Sequence, residues 1–286
     1  MRFSPIPIAS ITMRFRHSIF LGLAAVLSAC STDSITSNPE PPPPAAVLLK
    51  DIVEANLPSP YYHFEYDASG RITIASFASA LTTYNVSYDD DRISELRTNA
   101  IGNPSRLAYT YDNAGRVALV KYLDASGVAQ TLVFLTYNGH QLTEVERDKR
   151  VTGGFIIDKV MTFSYYVDGN LFELKEHRPA IEGFQPETNT TDRFEQYNNS
   201  IINVDGFSLI HDDFFDQLVL LPGVQLQKGN PGREVFTGDG DNFTVDYTYT
   251  FDGLNRPRLK IGDFAYVTGP HTGEHFPTLS QFSYYD

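Results

Sequence analysis

The chain has 286 residues, with 22 basic and 35 acidic side chains and a formal net charge of −13 at pH 7. A chain this acidic argues against a nucleic-acid partner, because phosphate backbones favour clustered Lys and Arg. The single cysteine, Cys30, excludes a disulfide within the chain.

Residues 1–29 have the features of a signal peptide, and Met13 would start it better than Met1. Arg14 and Arg16 give a basic region, and the apolar stretch that follows is too short to span a bilayer. The segment ending Leu-Ser-Ala-Cys30 resembles a bacterial lipobox. That resemblance implies acylation of Cys30, which would anchor the protein to a membrane.

The residue after the cysteine favours the outer membrane as the location. Inner-membrane retention signals tend to place Asp there, whereas this chain has Ser31. The side of the membrane that the protein faces is left open by this pattern. Residues 30–46 are rich in Pro, Ser and Thr and cannot bury a core, so we expect an extended tether.

Residues 47–286 are predicted to form a single all-β domain, beginning with a strand near 47–53. Apolar and polar residues alternate between turn signals that recur about every ten residues, as antiparallel meanders require. The first set of predicted strands is 61–67, 71–78, 82–89, 92–98, 106–112, 116–123, 128–137, 141–148, 156–166 and 170–177.

A corner motif repeats along these strands, and its clearest copy is Tyr111-Asp112-Asn-Ala-Gly115-Arg116. The Asp side chain can accept hydrogen bonds from backbone N–H groups ahead of it, and Gly supplies a positive φ. The turn-forming residues that we single out are Asp67, Gly70, Asp112, Gly115, Asp124, Gly127, Asp252 and Gly253. The Asp124 copy lies at the opposite end of its strand, which predicts an up-and-down meander.

These corners resemble the Tyr-Asp repeats of Rhs-type proteins. The order of motifs resembles more closely a family of bacterial envelope lipoproteins of unknown function with a porin-like fold. The matching motifs are the Tyr-Asp corners, Leu220-Leu-Pro222, Lys228-Gly-Asn-Pro231 and the strand Asp246–Asp252. The resemblance implies an antiparallel, barrel-like (porin-like) sheet and no known activity.

The last third of the chain is less regular. Residues 178–203 are polar, with a further hairpin expected around Phe194–Tyr197 and Ile201-Ile202. Apolar residues at helical spacing predict one short helix near 207–221, ended by Pro222. The final predicted strands are 224–228, 233–237, 243–252, 256–262 and 279–285.

Three motifs raise the question of a catalytic or metal site. His271-Thr-Gly-Glu274-His275 matches an inverted zinc-protease pattern, but nearby prolines and an internal glycine disfavour the helix that it needs. Asp239–Asn242 and Asp89–Asp91 offer oxygen ligands for Ca²⁺ and fit solvated turns better. The acidic cluster of Asp212, Asp213 and Asp216 fits the polar side of the predicted helix.

We therefore expect a non-catalytic, lipid-anchored outer-membrane protein without a metal or cofactor. Its partners would be the membrane, through acylated Cys30, and a glycan or another envelope component. The alternatives are an envelope hydrolase and an integral outer-membrane barrel. Charged residues within predicted strands, namely Glu65, Lys121, Glu173 and Lys175, argue against a lipid-facing wall unless they face a watery lumen.

Overall fold

The computed structural model describes residues 48–99, 105–198, 209–211, 218–221, 224 and 226–286. Sixteen strands close into one antiparallel barrel, and two short strands form a separate sheet. This confirms the predicted all-β, up-and-down, porin-like architecture. All described elements are strands, and the described residues contain no helix that is long and apolar enough to cross a membrane.

The strands follow the turn signals of the sequence closely. The barrel strands are β1 (Leu49–Glu54), β2 (Tyr62–Tyr66), β3 (Ile72–Phe77), β4 (Thr82–Asp89), β5 (Arg92–Thr98), β6 (Arg106–Tyr111), β7 (Val117–Leu123), β8 (Ala129–Asn138), β9 (Gln141–Val151), β10 (Gly154–Tyr165), β11 (Leu171–Arg178), β12 (Thr188–Glu195), β15 (Arg233–Gly238), β16 (Asn242–Phe251), β17 (Pro257–Thr268) and β18 (His275–Tyr284). The separate sheet pairs β13 (Leu209–His211) with β14 (Leu218–Leu220).

Each barrel strand pairs with its neighbours in the chain, with two exceptions. Strand β12 pairs with β15, so the chain makes an excursion between them, and β1 pairs with β18 to close the barrel. The closing register places Leu49 opposite Tyr284 and Ile52 opposite Phe282. Within this register the seam has no free edge, whereas β18 from His275 to Thr278 lies beyond β1 and pairs, among the described strands, with β17 alone.

The two ends of the barrel differ. We call the end with the turns 67–71, 112–116 and 252–256 the corner end; β1 also starts there. The opposite end, which we call the loop end, carries the longer connections, including 179–187 and 269–274.

The two faces of the wall have opposite polarity. The side chains of Leu107, Val120 and Val133 lie on the same face of β6 to β8 and are almost fully buried. A side chain on the outside of a closed barrel has no second layer above it, so this buried apolar face points inward. The outer face is largely polar and includes Glu65, Asn85, Arg97, Lys121, Thr136, Glu144, Lys175, Thr191, Asp246 and Thr248.

Val219, Leu220 and Leu221, in the excursion between β12 and β15, reach the interior. Leu220 and Leu221 are buried in the same apolar cluster as the inward wall residues. The backbone N–H of Leu220 donates to the hydroxyl of Tyr109, at 3.0 Å. A sixteen-stranded barrel is wide enough to hold an aqueous channel, so this segment fills space that a porin leaves open.

The prediction of a short helix near 207–221 is wrong. The described parts of that stretch, Leu209–His211 and Leu218–Leu220, are extended and pair with each other. Both halves are strongly apolar, and helical spacing cannot be distinguished from a buried strand pair over so few residues.

Two further details of the predicted strands need correction. Strand β12 covers Thr188–Glu195, where we expected irregular polar chain, and it pairs with β15 instead of with Ile201-Ile202. Residues 201–202 lie outside the described residues. No strand covers the described part of 224–228, because Lys228 and Gly229 donate their backbone N–H groups to the Asn170 side chain.

The assignment of the faces predicts that substitutions at an inward and at an outward position of β6 change the free energy of unfolding by very different amounts. Leu107→Ala should lower the free energy of unfolding by about 2–5 kcal/mol, because it leaves a cavity in the core. The outward, exposed substitution Thr110→Ala should change it by less than about 0.5 kcal/mol. Chemical denaturation of both purified variants measures this; equal effects would contradict the assignment of the faces.

Candidate functional site

The corner turns share one hydrogen-bond pattern. In the copy at Asp112, carboxylate Oδ1 accepts from the backbone N–H groups of Ala114 and Arg116, each at 2.9 Å. Oδ2 accepts from Arg116 Nε at 2.8 Å. These bonds from the Arg116 backbone and side chain lower the pKa of Asp112. Asp67 and Asp252 make the same set of contacts with Arg71 and Arg256.

The residue that closes each corner has a positive φ. It is glycine in three copies, Gly70, Gly115 and Gly127, with φ between 77° and 81°. In the fourth copy Asn255 takes this position with φ 60°, and Gly253 lies in the turn without a positive φ. Asn tolerates this region better than most residues, which explains the replacement. The Asp124 corner lies at the loop end and lacks the Arg.

We use hairpin for two adjacent strands joined at the loop end, and staple for a tyrosine hydroxyl that hydrogen-bonds across the two strands at the corner end, where they are not joined. Such staples recur along the barrel. Tyr111, at the end of β6, donates its hydroxyl to the carbonyl of Ile93, near the start of β5, at 2.8 Å. The same contact recurs in all eight hairpins of the described barrel. The pairs are Tyr66–Leu49, Tyr88–Ile72, Tyr111–Ile93, Tyr137–Val117, Tyr165–Leu142, Tyr197–Leu171, Tyr249–Pro231 and Tyr284–Pro257.

Corner arginines connect these staples to the turns. Arg71 lies over the ring of Tyr88, with 4.8 Å between guanidinium carbon and ring centroid, and Arg256 lies 4.4 Å over Tyr284. Each of these arginines is also bound to the Asp of its own corner. Aspartate, arginine and tyrosine therefore act as one unit that links consecutive hairpins. The turn residues that the sequence singles out build this rim, apart from Asp124 and Gly127, which lie at the loop end.

The residues of the zinc-protease motif do not converge. His271, in the loop after β17, makes a close side-chain hydrogen bond to the carboxylate of Asp241 in the neighbouring loop. His275 lies in β18 opposite Ala265, on the outward side of the strand. No group of three His, Cys, Asp or Glu side chains able to hold a metal ion occurs among the described residues.

The other acidic motifs have structural contacts or lie outside the described chain. Asp239 accepts the backbone N–H of Asn189 at 2.8 Å, and the Asn242 side chain accepts that of Gly238. The carbonyl of Asp90 accepts from Arg71. Cys30 and the cluster Asp212, Asp213 and Asp216 lie outside the described residues.

A row of stacked aromatic rings lines the inner face near the loop end. Its four members come from four adjacent strands and are Phe236, Phe243, Phe264 and Phe276. Successive ring centroids are 4.6, 4.5 and 4.5 Å apart, with interplanar angles of 5°, 29° and 16°. Phe276, at one end, is 42% exposed. The rest of the row is half-buried.

Acidic side chains lie next to this row. Asp192 is the cross-strand partner of Phe236, and Glu234 accepts the hydroxyl of Tyr247. Burial, reinforced by the nearby Glu234 charge, raises the pKa of Asp192 to about 8. Among the described residues, Oδ1 of Asp192 is buried without a hydrogen-bond partner. The Lys260 ammonium lies 4.2 Å over the Tyr247 ring.

A second polar cluster lies on β9 to β11, next to β12 in the wall. Arg147 makes two hydrogen bonds to the buried carboxylate of Asp158, at 2.9 and 2.7 Å. Lys159 lies 3.2 Å from Glu176, and its burial lowers its pKa to about 8. These buried ion pairs are satisfied within the wall.

The sequence did not predict the aromatic row with its acidic neighbours, nor the buried ion pairs of Arg147 and Lys159. The alternation of Phe243 and Tyr247 with polar residues along β16 was visible, and it predicts one apolar face. The stacking of Phe243 on Phe236 and Phe264 depends on the register of three strands, which no local pattern specifies.

Two solved structures share this fold. A porin-like protein from Bacteroides uniformis has 15% sequence identity and a TM-score of 0.53, covering 84% of this chain and 95% of its own. A porin-like protein from Bacteroides vulgatus has 14% identity and a TM-score of 0.54, covering 84% and 99%. At this identity the likeness establishes the fold alone. No protein-family model and no curated protein matches the chain.

The staples predict a measurable cost for removing one hydroxyl. Tyr111→Phe should lower the free energy of unfolding by roughly 1 kcal/mol, because the Ile93 carbonyl loses its donor. Tyr266→Phe is the matched control, since Tyr266 lies at the loop end and is not among the stapling tyrosines. Denaturant unfolding of both variants tests this, and an unchanged Tyr111→Phe midpoint would refute a stabilising role.

The His271–Asp241 contact predicts a pH window. The Asp241 carboxylate raises the pKa of His271, and His271 lowers the pKa of Asp241. The contact should therefore weaken as pH rises through the raised pKa of His271, and also as pH falls through the lowered pKa of Asp241. NMR titration should show the pKa of His271 falling in Asp241→Asn; an unchanged value would contradict the pairing.

Proposed function

We propose that this protein is a non-catalytic, lipid-anchored barrel of the bacterial outer membrane whose wall faces water and whose role is to bind an envelope component. The observation that carries the proposal is the polarity of the barrel: the buried apolar cluster lies on the inner face, beside the charged groups of β9 to β12, and the outer face is largely polar. A barrel that spans a membrane has the opposite arrangement, with an apolar outer band and a polar lumen.

Charges in the middle of strands support a wall that faces water. Lys121 lies between the inward residues Val120 and Tyr122, so its side chain points outward and is exposed. Glu173 pairs with Lys175 at 2.8 Å and with Arg193 at 2.9 Å on the outer face. A basic side chain facing lipid near the bilayer midplane costs about 2–4 kcal/mol. Such a wall is therefore suited to water.

The interior supports binding over conduction. The segment around Leu220 and Leu221 packs against the inward wall, and Asn170 receives two backbone N–H groups from Lys228 and Gly229. These contacts fasten the described residues of the excursion to the barrel, where an open pore would need water. The remaining inward surface, next to the aromatic row, is accessible at the loop end through Phe276.

Attachment through Cys30 would explain how a barrel with a polar outer wall stays at a membrane. The supporting features are the basic and apolar signal segment, the lipobox-like residues before Cys30 and the Pro-rich tether of residues 30–46. A diacylated cysteine supplies the two hydrophobic anchors that stable attachment requires.

Metabolic labelling tests the anchor. Cells expressing the full chain should incorporate radioactive palmitate into it, and the chain should fractionate with the outer membrane. Cys30→Ala should abolish the label, and the chain from Ser31 onward, exported behind a cleavable signal peptide, should be recovered free of washed membranes. Labelled Cys30→Ala would contradict anchoring at this residue, and a chain from Ser31 onward that resists extraction would contradict the water-facing wall.

A further inference from the structure

We propose that the aromatic row Phe236–Phe243–Phe264–Phe276 binds the alkyl chain of a single-chain amphiphile that enters the barrel at the loop end. The inference rests on the proposed function, because it requires a barrel with a water-facing wall and an accessible interior. It goes further by naming the binding surface and the chemical class of the ligand.

The row is continuous and apolar. Neighbouring rings are in van der Waals contact across β15 to β18, so the four side chains form one strip that runs across the wall. Val245, which is 3% exposed, and Gly262 lie beside the strip on the same inward face. An alkyl chain lying on these atoms would lose contact with water and would demand no hydrogen bonds.

The orientation of the rings selects an alkyl chain over a sugar. Sugars stack on exposed aromatic faces, but the faces of Phe243 and Phe264 are covered on both sides by neighbouring rings. The edges of these rings are what the row offers to a ligand. Edges suit a flexible hydrocarbon, which requires contact area and no flat platform.

The shape and the charges favour one chain with its head group outside. The inner face of a closed barrel is concave, so a single chain can enter, whereas a bilayer surface cannot reach it. Beside Phe236 lie the carboxyl groups of Asp192 and Glu234. Glu234, whose carboxylate accepts the Tyr247 hydroxyl, would repel an anionic head there, so the hydrocarbon end would enter first, past Phe276, and the head group would stay at the mouth.

The chain contains no tryptophan, so one introduced tryptophan can report on the row without interference. The background is the full chain with Cys30→Ala, which removes the protein's own acyl groups. Phe276→Trp places the reporter at the exposed end of the row. Phe184→Trp is the matched control, because Phe184 is 69% exposed in the loop after β11 at the same end of the barrel.

The probe is a dodecanoic acid with a bromine on a carbon near its carboxyl group, so that the bromine lies at the mouth beside position 276 and quenches tryptophan on contact. We expect saturable quenching of Phe276→Trp and only weak, non-saturating quenching of Phe184→Trp. Dodecanol, decanol and octanol should reverse the quenching, with affinity falling about fourfold for each methylene removed. A soluble oligosaccharide and phospholipid vesicles should not compete.

Several results would overturn the proposal. These are equal quenching of both reporters, absence of saturation, competition by the oligosaccharide but not by dodecanol, and quenching that requires brominated phospholipid vesicles. If Phe276→Trp does not fold, calorimetric titration of dodecanol into the Cys30→Ala chain and into Phe276→Ser replaces it. There the variant should bind at least about fivefold more weakly, and equal binding would overturn the assignment.

Failure of the binding site and failure of the proposed function remain distinguishable. Palmitate labelling and membrane release report on the anchor and on the water-facing wall, and neither depends on Phe276. If the protein passes those tests and shows no saturable quenching, the proposed anchor stands and the proposed ligand is contradicted.

Discussion

The hydrogen bond from a tyrosine hydroxyl to a backbone carbonyl at the corner end holds the barrel together as a ring. Each hairpin is joined covalently only at its loop end, so its two strands could separate at the other end. Tyr284 closes the last hairpin in the same way as Tyr66 closes the first. The corner turns join the neighbouring strands that the staples do not. Each boundary between strands at this end therefore has a turn or a staple, except the β12–β15 boundary and the β1–β18 seam. At that seam the backbone of Tyr285 bonds to Leu48.

The staple also explains the composition of the repeat. The aromatic residue must reach inward and end in a donor, which tyrosine does and phenylalanine does not. Arginine must satisfy the corner aspartate and cover the next tyrosine ring, as Arg116 does with Asp112 and Tyr137. The cluster is partly buried, and burial raises the pKa of Tyr137 to about 12, so the hydroxyl keeps its proton and remains a donor.

Strands and corners were predictable because both depend on residues close in sequence. Asp112, Gly115 and Arg116 specify a turn within five positions, and alternation along β6 and β16 specifies the inward face. Contacts set by register were not predictable: the stacking of Phe236 on Phe243, the pairing of β12 with β15 and the docking of Leu220 on Tyr109. The last joins residues 111 positions apart, and no local pattern indicates it. The same limit produced the incorrect helix, because apolar residues around Leu218 pair as strands only within the barrel.

The central claim is that a porin-like wall can face water when its apolar side chains point inward. Sedimentation velocity of residues 46–286, which lack the signal segment and Cys30, in buffer without detergent tests this most directly. The account predicts one species with the mass of a folded monomer or small oligomer and no bound amphiphile on its outer surface. Aggregation that only a detergent belt around the barrel can reverse would contradict it.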